Sequence, residues 1–73
     1  MRVDEFDFVR LRDGRVGTVC DVVKAEAAYL VDFPKPMDDG FGREHGLVTF
    51  DTELVEHGDV VAAGETPESI AGP

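Results

Sequence analysis

The chain has 73 residues, one cysteine and a formal net charge of −9, from 16 acidic against 7 basic side chains. That length allows one domain with a thin core, burying only about 60% of the surface an unfolded chain exposes. A single thiol excludes an intrachain disulfide or a thiolate metal cluster. An apolar fraction of 42% argues against disorder. No apolar run approaches the roughly 20 residues that span a bilayer, and the N-terminus lacks a signal-peptide pattern, so a cytoplasmic location is expected.

In chain order, Phe6–Arg12 alternates as a half-buried strand and Arg15–Val23 is rich in β-branched residues. Asp13-Gly14 between them predicts a hairpin with a type I′ turn, positive in φ at both central residues. Gly17, inside the second strand, marks a bend or a close backbone approach. Lys24-Ala25-Glu26 is a short polar turn. Ala27–Phe33 follows as a third strand with Tyr29, Val31 and Phe33 on one face.

Pro34 is expected to end that strand. Residues 34–46 hold two prolines, three glycines and five charged side chains, and read as a long loop. Leu47–Phe50 reads as a fourth strand, and Asp51–Leu54 as a single helical turn capped by Asp51. Val55-Glu56 and Val60–Ala62 supply a closing strand. The expectation is an all-β, SH3-like, partly open barrel of about five antiparallel strands with one short helical turn. The barrel domain spans residues 1–62 and a flexible C-terminal tail 63–73. Its expected core is Val9, Leu11, Val19, Val22, Tyr29, Val31, Phe33, Val48, Phe50 and Leu54.

Candidate chemistry is sparse. His45 and His57 stand twelve apart without a third ligand at zinc spacing. The loop Asp38-Asp39-Gly40-Phe41-Gly42-Arg43-Glu44 lacks the alternating carboxylates of a calcium loop and carries Arg43 within it. Ser69 is the only serine, Cys20 lies mid-strand, and no phosphate-binding glycine loop occurs. No catalytic residue, metal site or cofactor is therefore expected, and the chain reads as a non-enzyme.

Charge placement is more informative. Residues 1–35 carry six basic and seven acidic side chains; residues 36–73 carry Arg43 alone against nine acidic ones. Such a field attracts basic partners and speeds their encounter. The expected function is a non-enzymatic protein-binding module, with Asp38, Asp39, Phe41, Glu44, Asp51 and Glu53 contacting a basic protein surface. An acidic inhibitor of a nuclease, toxin or defence enzyme fits that pattern. Phe41 between two glycines either plugs the barrel mouth or serves as an exposed anchor, and the thin core favours the plug. The alternatives are a nucleic-acid- or ribosome-associated barrel using Arg10, Arg12 and Arg15, and a structural assembly domain pairing through an exposed strand edge.

Val9 and Leu11, Asp13-Gly14, Gly17-Thr18-Val19 and Ala28-Tyr29-Leu30-Val31-Asp32-Phe33 resemble the pattern of a family of small bacterial domains of unknown function with an SH3-like, KOW-related barrel. Val48-Thr49-Phe50 and Leu54 are similar to that family's closing strand and one-turn helix. The resemblance implies the barrel fold, no catalytic residues, and for some members an inhibitor or immunity role. RNA-binding KOW relatives present basic loops, whereas the second half of this chain is acidic and opposes phosphate binding.

Overall fold

The computed structural model describes residues 1–71 and shows five antiparallel strands: β1 Phe8–Leu11, β2 Val16–Lys24, β3 Ala28–Pro36, β4 Val48–Glu56 and β5 Val60–Gly64. They form one open sheet in the order β4-β3-β2-β1-β5. The first four follow one another as a meander. A 3₁₀ turn, His57–Asp59, then returns the chain so that β5 pairs with β1. This is the expected small, all-β, partly open barrel of five antiparallel strands. Two short helices complete it, α1 Gly40–His45 and α2 Pro67–Ile70. No helix among the described residues is long and apolar enough to cross a membrane.

The core gathers the inward residues of alternating strands. Val9, Val19, Tyr29 and Val31 are fully buried, with Leu11, Phe33, Val55, Val60 and Val3 around them and Val22 packed at the margin. Gly17 lets β2 approach β3 closely. A Cβ there would lie 2.6 Å from Val31 Cγ1, 2.8 Å from the Asp32 carbonyl oxygen and 2.9 Å from Phe33 Cδ1. The buried Tyr29 hydroxyl shares a hydrogen bond with His57 Nδ1 at 2.5 Å, tying β3 to the 3₁₀ turn. Burial raises the Tyr29 pKa above its ordinary value.

Several elements differ from expectation, each for a local reason. The first hairpin has no type I′ turn. Gly14 alone takes positive φ, at 93°. Its N–H donates to the Leu11 carbonyl and the Leu11 N–H to the Arg15 carbonyl, a three-residue connection closed by a glycine bulge. β1 starts at Phe8 because Asp4 and Asp7 close a tight turn, which leaves Phe6 exposed with φ 71°.

β3 runs through Pro34 to Pro36, paired in unbroken register with β4 from Ala28↔Glu56 to Pro36↔Val48. The His57 N–H donates to the Ala27 carbonyl, which fixes the ladder's alternation. Tyr29, Val31, Phe33 and Lys35 therefore direct their backbone groups at β4. Pro34 and Pro36 face the other way, where a missing N–H breaks no bond to β4.

The helical turn expected at Asp51–Leu54 is strand, since β3 offers those residues a continuous ladder. The chain's 3₁₀ turn lies later, at His57–Asp59. Val48, Phe50 and Leu54, expected in the core, are exposed, because they lie on the outer face of an edge strand. Val3, Val55, Val60 and Ile70 fill the interior instead.

The segment after residue 62 was expected to have little to bury. In the structure β5 continues to Gly64, and Thr66 caps α2 with Pro67 at its first turn, a capping box with Ser69. Ile70 is 2% exposed, and its carbonyl accepts a bond from Arg10 Nε at 2.9 Å. Residues 72–73 of the expected tail lie outside the described residues.

Candidate functional site

All six candidate contact residues belong to one supersecondary unit, the β3–α1–β4 arm. Residues 34–46, expected to be loop, instead extend β3 and then form α1. Asp39 caps this helix through its side chain to the Gly42 N–H, and Gly46 ends it in the left-handed region at φ 64°. Gly42 is required beside Met37, whose Cβ would lie 2.3 Å from an added Cβ. Asp38, Phe41 and Glu44 are exposed at this tip.

Phe41 is not a plug. It is 65% exposed, and its ring leans on His45 with centroids 4.4 Å apart. A helix of one and a half turns gives the ring no route back to the core. His45 keeps it outward.

Asp51 and Glu53 lie on β4 opposite Phe33 and Val31, on the sheet face that carries the core, yet both are exposed because they sit at its rim. Asp51 and the tip residues thus share the arm but form two groups along it. Two of the six have local partners. Asp39 is the cap just described, and Glu53 accepts from Arg15 Nη1 at 2.7 Å.

The three arginines of the basic cluster each have acceptors within the chain. Arg10 donates to the Ile70 carbonyl and Arg12 Nη2 to the Gly58 carbonyl at 2.7 Å. Arg15 bonds Asp13 and Glu53 and lies 4.5 Å from the centroid of Phe33. Hydrogen bonds to Asp13 and then Glu53 raise the Arg15 pKa. The Arg15 backbone N–H, then its side chain, hold Asp13 below the usual carboxylate range. Both are surface groups, and their pairing adds little to stability.

The pattern missed in the sequence is apolar. By register, the outer face of the arm carries Val48 opposite Pro36, Phe50 opposite Pro34 and Leu54 opposite Leu30, with Thr52 bonded to Asp32 among them. Val48, Phe50 and Leu54 are 52%, 57% and 64% exposed. Val48 and Phe50 are expected on a strand and Leu54 on a helical turn, all three in the core; the continuous strand instead sets them on one outer face.

Elsewhere the surface offers little chemistry. One open depression of about 300 Å³ lies between the first hairpin turn and the 3₁₀ turn, lined by Leu11, Arg12, Asp13, Arg15 and Asp59. Its charges are largely matched and it holds no nucleophile. Cys20 is half-buried, with its Sγ on the Leu30 carbonyl at 3.4 Å. Burial, then the charge of Asp32, raise its pKa and keep it a thiol. Among the described residues, no group of three or more His, Cys, Asp or Glu side chains is placed to hold a metal ion. Comparisons with protein-family models, curated proteins and solved structures return no match.

Proposed function

We propose that this chain is a non-enzymatic protein-binding module that docks a basic protein surface onto the β3–α1–β4 arm. An acidic inhibitor or immunity-type factor acting on a nuclease, toxin or defence enzyme is the biological form that suits it. One observation carries the reading. The arm exposes Asp38 and Glu44 on the tip that carries the outward Phe41, and Asp51 farther along β4, while Arg10, Arg12 and Arg15 each have acceptors within the chain. Exposed carboxylates steer a cationic partner, and an exposed aromatic supplies contact area at low entropic cost. The engagement of each arginine with an acceptor in the chain speaks against the rival reading, which needs cations free to neutralise phosphates.

The test uses the partner captured from host cells on the intact chain. Asp38→Asn, Glu44→Gln and Asp51→Asn are combined, leaving the helix cap Asp39 in place. The association rate at low salt is expected to fall about tenfold or more, and the loss to shrink as salt rises. An unchanged association rate removes the proposal.

A further inference from the structure

β4 has β3 as its only hydrogen-bonded neighbour. Among the described residues, no strand pairs with its outer edge. The ladder alternation directs the N–H and C=O groups of Thr49, Asp51, Glu53 and Val55 at β3. Those of Val48, Phe50, Thr52 and Leu54 point outward along the free edge. These outward groups belong to the residues that form the exposed apolar stripe, whereas Asp51 and Glu53 line the opposite face of the same strand. A nine-residue edge of this kind is a template for another strand.

We propose that the partner adds an extended strand to the free edge of β4, and that this strand alternates basic and apolar residues. This rests on the acidic-docking reading above and specifies how the docking is made. The apolar residues of the incoming strand meet Phe50 and Leu54 on one face, and its basic residues meet Asp51, with the Arg15-bonded Glu53 beside it, on the other.

Charge decides the occupant. Consider an antiparallel pairing of two β4 edges that places Phe50 opposite Leu54 of a second copy. The same register sets Asp51 opposite Glu53 of that copy on the other face. Directly opposed like charges destabilise a strand pair, and each copy brings a net charge of −9. A basic strand reverses both terms. It gains cross-strand ion pairs and lowers the total charge.

The test uses the full chain and a capped nine-residue peptide alternating lysine and valine. At low salt the peptide is expected to bind and to slow hydrogen exchange at the Phe50, Thr52 and Leu54 amides. Those of Asp51 and Glu53, already bonded to β3, change little. N-methylation of the peptide separates side-chain attraction from strand pairing. Methylating alternate amides in one set is expected to weaken binding about tenfold or more, and in the other set to leave it unchanged.

Binding without slowed exchange on the edge, or with the two methylated peptides equivalent, overturns strand addition and leaves acidic docking standing. No binding at low salt overturns both. A stable dimer with these edge amides already protected before peptide is added overturns the choice of occupant.

Discussion

The body of the barrel, which includes the Ala28–Phe33 part of β3, and the outer arm, the end of β3 with α1 and β4, follow opposite rules of burial. In the body, each strand turns alternate residues onto Val9, Val19, Tyr29 and Val31, and nothing larger than a hydrogen fits at Gly17. In the arm, β4 shows eight of its nine residues to solvent, and only Val55 is buried. The body is held by packing, whereas the arm is held by a backbone ladder and two helix caps. The difference teaches where substitutions are felt. Body side chains set stability, and arm side chains are free to set recognition.

The most severe way to test this contrast is Gly17→Ala. A methyl group pressed against Val31, Phe33 and the Asp32 carbonyl is expected to cost about 3 kcal/mol in urea unfolding. In a domain this small that is a large share of the whole. Ile70→Ala sharpens the boundary of the body. It is expected to cost about 2 kcal/mol, because the end of α2 packs as core. A loss under about 0.5 kcal/mol would return residues 67–70 to the status of a tail.

Glu26 offers a change of opposite sign. It holds φ 59° in the turn between β2 and β3, a region costly for a side chain. Glu26→Gly is expected to raise stability by about 0.5–1 kcal/mol, read as a shift in the unfolding midpoint at constant slope. In the arm, Leu54→Ala is expected to change stability by less than about 0.5 kcal/mol, since its side chain is already in water. A loss near that of Ile70→Ala would erase the distinction between the two regions.

The smallest effect concerns acid. Asp13 titrates below its ordinary value in the folded chain, so it is more acidic there than when unfolded. Its stabilising contribution is present above the unfolded pKa and is lost as pH falls through the folded one. Asp13→Asn is therefore expected to be slightly less stable than the parent at neutral pH and equal to it in strong acid. Paired unfolding curves across pH check this.

The body was legible because its strands bury one face. Period-two alternation in Phe8–Leu11 and Ala28–Phe33, and the β-branched run of β2, mark that face, and six of the ten expected core residues are fully or nearly fully buried there. β4 was not legible for the converse reason. Val48, Phe50 and Leu54 alternate as core residues do, but the sheet ends at this strand and no layer covers their face. Alternation gives the period and not the side. α1 and α2 are too short for an apolar stripe, and only their caps announce them: Asp39 with Gly46, and Thr66 with Pro67 and Ser69. The candidate residues fall on one arm because the charge balance and the long 34–46 segment singled out that stretch of chain. Charge count did not reveal that Asp39 and Glu53 are engaged locally, since such bonds depend on three-dimensional neighbours.

The two prolines at the end of β3 give the arm a direction. Pro34 and Pro36 turn their ring nitrogens away from β4, so that flank of β3 has no donor at either position to recruit another chain. At the far end of the sheet β5 is five residues long, with α2 packed against it. Only one border of the sheet is therefore both long and uncovered. If strands add there, growth ends after one addition, because the opposite border offers no second place to continue.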